Sequence, residues 1–486
     1  MTPAVPETTQ ITIEAGESLG AQVRAAILWR SGSHVVAQLV QWSATFLVIR
    51  ILSPADYGLF AMTQVVIVLL CMLDGEGLAS ALIREPQVGP RQIRQMFGLL
   101  LLLNGTLAIA QFALAPFAAR YYGNPLVADV LRVQVLLYLA TPFVALPTAL
   151  LQRKMDFRHQ ATTNIIASIA SATAALAGAL AGLGVWTLVI APLVMFAVRA
   201  VLMTRAAKSL VWPSFDFRGM GTLARYGGVM AGAQFVWFLQ SQADVFIAGA
   251  SFGAYQLGLY TTALFLTQIF VSKLVPPLNE VAFSAYARLQ HDRDALAAAF
   301  LKGMRIVMTA AIPFSVGLAV TAEPLVLTIL GPKWAGVAPI VQLLALAMPF
   351  MTLQVLLSPA CDASGRPGIG VANGVIGAVI LAVAFLIGVR WGPMGLASAW
   401  VAAYPLYLGV SLWRSLPVIG ASFASVGRGV VQPVLGSIAM ALIVVGVDLH
   451  IAWPTMFVRL AALGSVGVAA YAAWLAASRA RSSANS

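Results

Sequence analysis

The stretch ILSPADYGLF, Ile51–Phe60, is a short polar break between the first two long apolar runs of the chain. A second stretch, FGAYQLGLY at Phe252–Tyr260, separates two later apolar runs, and Gly58 and Leu59 recur there as Gly258 and Leu259, 200 residues further along. Each copy places proline or glycine where the incoming run ends, since both residues disfavour a helix interior. The two turns therefore predict a chain that contains the same helical unit twice.

The composition is that of a membrane protein. Of 486 residues, 60% are hydrophobic and 9% are charged, and the mean hydropathy is +0.89. An average soluble domain carries about 25% charged residues, so this chain cannot cover itself with a polar surface. A net charge of +12 would suggest a nucleic-acid partner in a soluble protein. Here the basic residues lie in short loops between apolar runs, so we expect membrane lipids and no nucleic acid as partners.

Run lengths and Pro, Gly and charge breaks predict an all-α polytopic membrane protein with about 14 transmembrane helices. The predicted spans are 28–50, 56–76, 96–118, 127–151, 161–182, 185–207, 223–250, 255–281, 303–322, 337–361, 369–389, 394–416, 429–448 and 455–477. The weakest boundary is Gly182–Gly184, where the fifth and sixth helices are either separate or one bent helix.

The Lys and Arg residues test this map, because cytoplasmic loops carry an excess of both. With the N-terminus inside, 22 of the 29 are assigned to the inner side, in loops or at the neighbouring span ends, five to the outer side in the same way, and two, Lys273 and Arg459, to the spans themselves. Losing one helix from the middle would destroy this bias, so both termini are expected in the cytoplasm. Residues 1–23 lack the basic start and apolar core of a cleavable signal, which predicts a disordered cytoplasmic tail.

The offset between the two turns equals six predicted helices, an even number, so both copies enter the membrane in the same direction. This predicts a parallel repeat about an axis along the membrane normal. The predicted parts are a first lobe at 24–212, a second lobe at 213–418 and two further helices with a short tail at 419–486. Gly58 and Gly258 are expected to permit close backbone approach at an interface. Asp56, which has Gln256 as its counterpart, is expected to be a helix N-cap.

Six stretches, in order over about residues 25–420, resemble one membrane transport family: LSPADYGLFAM (52–62), GLASALIRE (77–85), ALLQRKMDFR (149–158), QADVFIAGASFGAYQLGLY (242–260), PPLNEVAFSAYARLQHD (276–292) and GPKWAGVAPIVQLLAL (331–346). The chain is similar to the Wzx-type oligosaccharide flippases, the polysaccharide transport branch of the multidrug/oligosaccharidyl-lipid/polysaccharide (MOP) exporter superfamily. The resemblance implies two six-helix lobes around a central cavity in the bacterial inner membrane. It also implies a lipid-linked oligosaccharide as cargo, for exopolysaccharide or surface polysaccharide assembly, with other assembly proteins as further partners.

Ionisable groups inside spans are candidates for function, because they are costly in lipid. Lys273 lies within the eighth predicted span. It is either a cavity cation for the diphosphate or acidic sugar of the cargo, or a lysine that reaches the inner headgroups. Related flippases resemble this chain in placing cations on the first and eighth helices, which implies Arg30 and His34 as partners of Lys273. The amides of Gln41 and Gln234 are further candidates, since such amides bind sugar hydroxyls or link helices.

Carboxylates supply the remaining candidates. Asp244 on the seventh helix is a candidate for proton or sodium coupling, and the alternative is a structural hydrogen bond to Gln240 or Gln242. Asp74, Glu76 and Glu280 are candidate gate or helix-end residues.

Scattered cysteines and histidines predict no metal site, no cofactor and no catalytic group, so the chain is expected not to be an enzyme. Two alternatives stay open. One is a small-molecule exporter similar to the multidrug and toxic compound extrusion (MATE) proteins, which would need an acidic cavity. The other is a membrane polysaccharide polymerase or ligase, which would need positioned catalytic groups.

Overall fold

The computed structural model describes residues 38–73, 82, 88–216 and 238–484, and within them the regular structure is helical. We number its long helices in chain order as α1 (38–51), α2 (Pro54–Cys71), α3 (Pro90–Tyr121), α4 (Leu126–Arg153), α5 (Phe157–Leu180), α6 (Val185–Ala207), α7 (238–251), α8 (Ala254–Arg288), α9 (Arg293–Val320), α10 (Val337–Ala363), α11 (Pro367–Gly388), α12 (Gly392–Ile419), α13 (Phe423–His450) and α14 (Met456–Ala484).

Eleven segments of the described chain are long and apolar enough to cross a membrane. One of them, Pro367–Ile419, has 53 residues and contains both α11 and α12 around the short turn Val389–Trp391. The described parts of α1 and α7 begin at residues 38 and 238. The predicted all-α polytopic class is therefore confirmed, and each predicted span overlaps one described helix.

The boundary between α5 and α6 is a true turn. Gly182 and Gly184 have φ values of +72° and +56°, which glycine adopts without the steric cost of a Cβ atom. The fifth and sixth predicted spans are therefore two helices rather than one bent helix.

The two halves of the described chain meet where α2 packs against α8. In the first half α6 packs against α4 and α5, and in the second half α12 packs against α10 and α11. The α13 helix packs on α9, and α14 packs on α13. The residue limits of the two lobes remain predictions.

The turns quoted from the sequence touch each other. A Cβ atom added to Gly58 would lie 1.8 Å from the carbonyl oxygen of Ala254, and one added to Gly258 would lie 1.7 Å from that of Pro54. Each glycine therefore allows one half of the molecule to lie against the backbone of the other half. We call the end of the bundle that carries these turns the corner end.

Further contacts at the corner end join the ends of α1 and α7 to the opposite half. Trp334 lies in the connection between α9 and α10, after the short helix Ala322–Ile329, and donates its indole N–H to the carbonyl of Ile49 at 2.9 Å. At the α3–α4 turn, the Tyr121 ring stacks on Phe246 of α7 with centroids 4.7 Å apart. The end of α1 thus meets the connection between α9 and α10, while the end of α7 meets the turn between α3 and α4. This reciprocal pattern is what a parallel repeat predicts.

Two charged side chains also form hydrogen bonds between the end of α1 and the connection between α9 and α10. The Lys333 ammonium donates to the carbonyl of Ile51, and Arg50 donates to the carbonyl of Thr328 at 3.0 Å. Burial lowers the pKa of Lys333 below its ordinary value, and the nearby carboxylate of Asp56 opposes that shift. The first corner therefore carries cationic links between the halves.

The prediction that Asp56 is an N-cap is wrong. Ser53 is the N-cap of α2, and Asp56 is its third helical residue. The Asp56 carboxylate accepts hydrogen bonds from the Ser53 N–H at 3.0 Å and from its hydroxyl at 2.6 Å, which completes a capping box. The order Ser-Pro-Ala-Asp explains the difference, because Pro54 suits the first helical position and leaves Ser53 outside the helix.

Candidate functional site

A cleft of about 430 Å³ lies where α1, α2, α7 and α8 meet, on the side of the bundle close to the corner end. The first half of the molecule lines it with Thr45, Ile49, Tyr57, Phe60, Ala61 and Gln64. The second half lines it with Ser241, Gln242, Asp244, Thr261, Thr262 and Gln268, together with Val245, Leu264 and Phe265. The two halves of the described chain thus share the cleft.

The α7–α8 wall is the more polar of the two. The Thr262 hydroxyl is buried and has no hydrogen-bond partner among the described residues. Within the same part of the chain, no hydrogen bond holds the side-chain amides of Gln242 and Gln268. Across the cleft, the Gln64 amide on α2 likewise has no hydrogen-bond partner among the described residues. These groups are available to a polar ligand, since a buried hydroxyl or amide gains from a partner.

The α1–α2 wall is mainly apolar and aromatic. Tyr57 is held by Trp334, whose ring lies edge-on at a centroid distance of 5.6 Å. Phe265 enters the cleft from α8 and contacts Phe46 of α1 with centroids 6.3 Å apart. The cleft therefore combines aromatic rings with hydrogen-bonding groups.

Asp244 is the one charged residue among those that line the cleft in the described chain, and it is 2% exposed. One carboxylate oxygen accepts the hydroxyl of Tyr260 on α8 at 2.7 Å, and the other accepts the N–H of Val245 at 2.7 Å. Trp400 of α12 donates to the Tyr260 oxygen at 2.7 Å. The alternative partners expected from the sequence, Gln240 and Gln242, do not bond Asp244.

Gln240 has another role. Its amide donates to the Tyr407 hydroxyl at 3.2 Å, and Gln354 of α10 donates to the same oxygen at 2.8 Å. Tyr407 lies against Gly377 of α11, where a Cβ atom would lie 2.4 Å from the ring. This contact joins α7 to α10, α11 and α12, and Gln240 does not line the described cleft.

The structure places the remaining predicted residues as follows. Lys273 is exposed at a break in α8, five residues past Gln268 and so about 7.5 Å further from the corner end. Gln41 is half-buried on α1, where its backbone carbonyl accepts the Thr45 hydroxyl at 2.8 Å, and it does not line the cleft. Glu280 is exposed on the last part of α8. The following candidates lie outside the described residues: Arg30, His34, Asp74, Glu76 and Gln234.

Sequence reasoning missed part of the cleft. Thr262, Ser241 and Gln64 were not candidates, because a hydroxyl or single amide in an apolar helix gives no signal of the side it faces. Gln268 is one of several Gln and Asn residues in the predicted spans, and the sequence does not indicate which of them line a cavity. The structure separates it from Asn373 and Gln354, which bond Ser415 and Tyr407 on α12 and so link helices.

Comparisons with known proteins agree with this architecture. A family model described as polysaccharide biosynthesis protein matches residues 47–339, more than half of the chain. The succinoglycan biosynthesis transport protein ExoT of Rhizobium meliloti is 27% identical over 62% of this chain and 61% of its own length. The teichuronic acid biosynthesis protein TuaB of Bacillus subtilis is 23% identical over 77% of this chain and 78% of its own length. The aligned region thus spans less than two thirds of the first of these relatives.

Two solved structures share the fold. The lipid II flippase MurJ in an inward closed conformation aligns over 92% of this chain and 98% of its own, with a TM-score of 0.74 and 13% identity. An inward-facing MATE family multidrug transporter of the MOP superfamily aligns over 79% of this chain and 96% of its own, with a TM-score of 0.59 and 15% identity. At these identities the match shows the fold alone. The family match and the shared fold lead to one conclusion: the chain belongs to the polysaccharide biosynthesis protein family and is a multi-pass membrane protein with the fold of MOP superfamily transporters.

Proposed function

We propose that the protein is a flippase that moves a lipid-linked oligosaccharide across the bacterial inner membrane for surface polysaccharide or exopolysaccharide assembly. The observation that carries the proposal is the cleft. It lies between the two halves, combines aromatic rings with hydrogen-bonding groups, and lies close to the Gly58–Gly258 contact. Such a site suits a sugar, whose ring has apolar faces and hydroxyl edges.

In the proposed cycle the headgroup enters from the end opposite the corner end. The bias of Lys and Arg residues supports the view that this end is cytoplasmic. The lipid tail stays in the bilayer while the lobes rock about the cleft. Separation of Gly58 from Gly258 then opens the corner end and releases the headgroup outside. No covalent bond changes in this cycle.

Asp244 is the proposed coupling residue. A buried carboxylate that is held by Tyr260, in a residue that lines the cleft, can bind a proton or a sodium ion next to the place that the cargo occupies. We expect Asp244→Asn to remove the dependence of transport on the coupling gradient, and Gln240→Ala to retain it. The measurement is flipping in liposomes with a pH gradient alone or a sodium gradient alone. An unchanged response of Asp244→Asn to both gradients would exclude this role.

Lys273 remains a proposed contact for the diphosphate of the cargo. It is exposed on α8 on the side of the cleft away from the corner end. In the proposed cycle the diphosphate would pass this cation as the headgroup enters.

The direct test is deletion of the gene followed by analysis of lipid-linked oligosaccharides in the inner membrane. We expect one such lipid to accumulate on the cytoplasmic leaflet and its polysaccharide to disappear. Unchanged precursor and polysaccharide pools would contradict the proposal.

A second candidate is an exporter of small organic cations. The observation that favours it is that the one charged residue lining the described cleft, Asp244, is acidic. It predicts efflux of cationic dyes that stops in Asp244→Asn. Dye efflux without any change in lipid-linked oligosaccharides would favour the exporter over the flippase.

A further inference from the structure

The lining of the cleft carries information about which sugar it accepts. In the part of the cleft that the structure describes, the polar lining consists of hydroxyl, amide and carboxylate groups. Lysine and arginine are absent from that lining. A site for an acidic sugar would place a cation where the sugar carboxylate sits, because an unpaired buried charge is strongly unfavourable.

The available groups match the hydroxyls of a neutral sugar. An amide offers both donors and an acceptor, and a threonine hydroxyl offers one donor and two lone pairs. Gln64, Gln242 and Gln268 present amides without partners among the described residues, and the Thr262 hydroxyl is buried and has no partner there either. A buried hydroxyl without a partner is a second, independent sign that a ligand or water bonds there.

Asp244 reinforces the selectivity. Its carboxylate already accepts two hydrogen bonds and lies on the same wall as Gln242 and Thr262. A sugar carboxylate in the cleft would face this like charge at short range, which is destabilising. A neutral ring has no such repulsion, and its hydroxyls could donate to the carboxylate.

We infer that the cleft is a recognition site for a neutral hexose unit of the cargo, with the ring face against Tyr57, Phe60 and Phe265 and its hydroxyls on Gln64, Gln242, Gln268 and Thr262. The inference rests on the proposed flippase function and adds the substrate class. It separates the sugar site from Lys273, which lies further along α8.

The test is competition measured by native mass spectrometry of the purified full-length protein. Two probes are mixed in equal amounts: a polyprenyl diphosphate that carries a neutral hexose disaccharide, and the same lipid with the terminal hexose oxidised to a hexuronate. We expect the neutral probe to be retained roughly tenfold better, because the hexuronate meets Asp244 without a cation. Equal retention, or preference for the hexuronate, would overturn the inference.

Two variants make the test specific. Gln242→Ala is expected to lower retention of the neutral probe roughly three- to tenfold through loss of a hydrogen bond, and Gln240→Ala, two residues away and bonded to Tyr407, is the matched control. Gln268→Lys supplies the missing cation and is expected to raise retention of the hexuronate probe. Since this is a gain of binding, it cannot arise from misfolding, and its absence would count against the assignment.

The outcomes separate the two proposals. Retention of both glycolipids without preference contradicts only the neutral-sugar assignment. Failure to retain either glycolipid above the level of polyprenyl diphosphate without sugar contradicts the proposed flippase function itself.

Discussion

At the scale of single residues, the paired glycines decide how closely the halves approach. Their importance was predictable, because Gly58 and Gly258 recur at one offset in two turns of the same direction. That each would lie against the turn of the other copy was not predictable, since spacing along the chain does not define the partner surface. The order Ser-Pro-Ala-Asp is typical of a capping box between Ser53 and Asp56. The prediction that Asp56 is the N-cap considers that residue by itself, and it is wrong because the Asp56 carboxylate accepts the N–H of Ser53, which is the N-cap.

Replacement of either glycine by alanine is expected to open the corner end. A Cβ atom at Gly258 would lie 1.7 Å from the Pro54 carbonyl oxygen, a clash with backbone that cannot be relieved by a side-chain rotation. We expect Gly258→Ala to destabilise the state in which the two turns are in contact by about 1–3 kcal/mol. The measurement is the rate at which a cysteine at Ser241 reacts with an impermeant maleimide, in a background with Cys71 and Cys361 replaced by alanine.

The matched control is Gly105→Ala on α3, where an added Cβ atom has nothing within 4 Å. This variant is expected to leave the labelling rate unchanged. Equal rates in Gly258→Ala and the control would show that the corner contact does not limit access.

At the scale of helices, number, order and approximate limits were predictable because length and apolarity dominate in lipid. The sequence did not predict every interruption within a helix. The break at Leu274 in α8 precedes Pro276 and Pro277, and it divides the part that lines the cleft from the part that carries Glu280. Which polar residues face inward also stayed open, because an apolar helix in lipid shows little amphipathic pattern. Thr262 illustrates this.

The last two helices are joined to the second half by a charge cluster that the sequence did not reveal. Arg459 of α14 bonds both carboxylate oxygens of Asp448 on α13 at 2.8 Å and reaches Glu323 at 3.0 Å. Its side chain is 19% exposed. Glu323 is 136 residues from Arg459 in sequence, and nothing in the sequence indicates that the two residues meet.

Loss of this cluster is expected to loosen α13 and α14. Arg459→Met keeps the stem of the side chain but leaves Asp448 without its cation, and should lower the free energy of unfolding by about 2 kcal/mol. The measurement is unfolding in mixed micelles, with Asp448→Asn completing a double-mutant cycle. The control is Arg132→Met, which removes a more exposed pair with Asp129 and should cost less than about 1 kcal/mol. Equal losses would contradict the anchoring role.

At the scale of the whole molecule, alternating access requires that contacts between the halves break while contacts within each half persist. The stacked pair Tyr121–Phe246 joins the halves at the corner end, with ring centroids 4.7 Å apart. The pair Phe97–Phe143 joins α3 to α4 within the first half, with centroids 5.4 Å apart. The ring separations are similar, and only the first pair joins the two halves, so the two pairs can be compared to test the motion.

Cysteines at Tyr121 and Phe246, bridged by a short reducible methanethiosulfonate linker, are expected to stop flipping, because the corner end can then no longer open. Cysteines at Phe97 and Phe143, bridged in the same way, are expected to leave flipping intact. Both are made in the background with Cys71 and Cys361 replaced, and flipping of a lipid-linked oligosaccharide is followed in liposomes before and after reduction. Full activity in the bridged Tyr121–Phe246 protein would exclude separation of the halves as the transport step. Inhibition of both bridged proteins would instead mean that motion within the first half is also required.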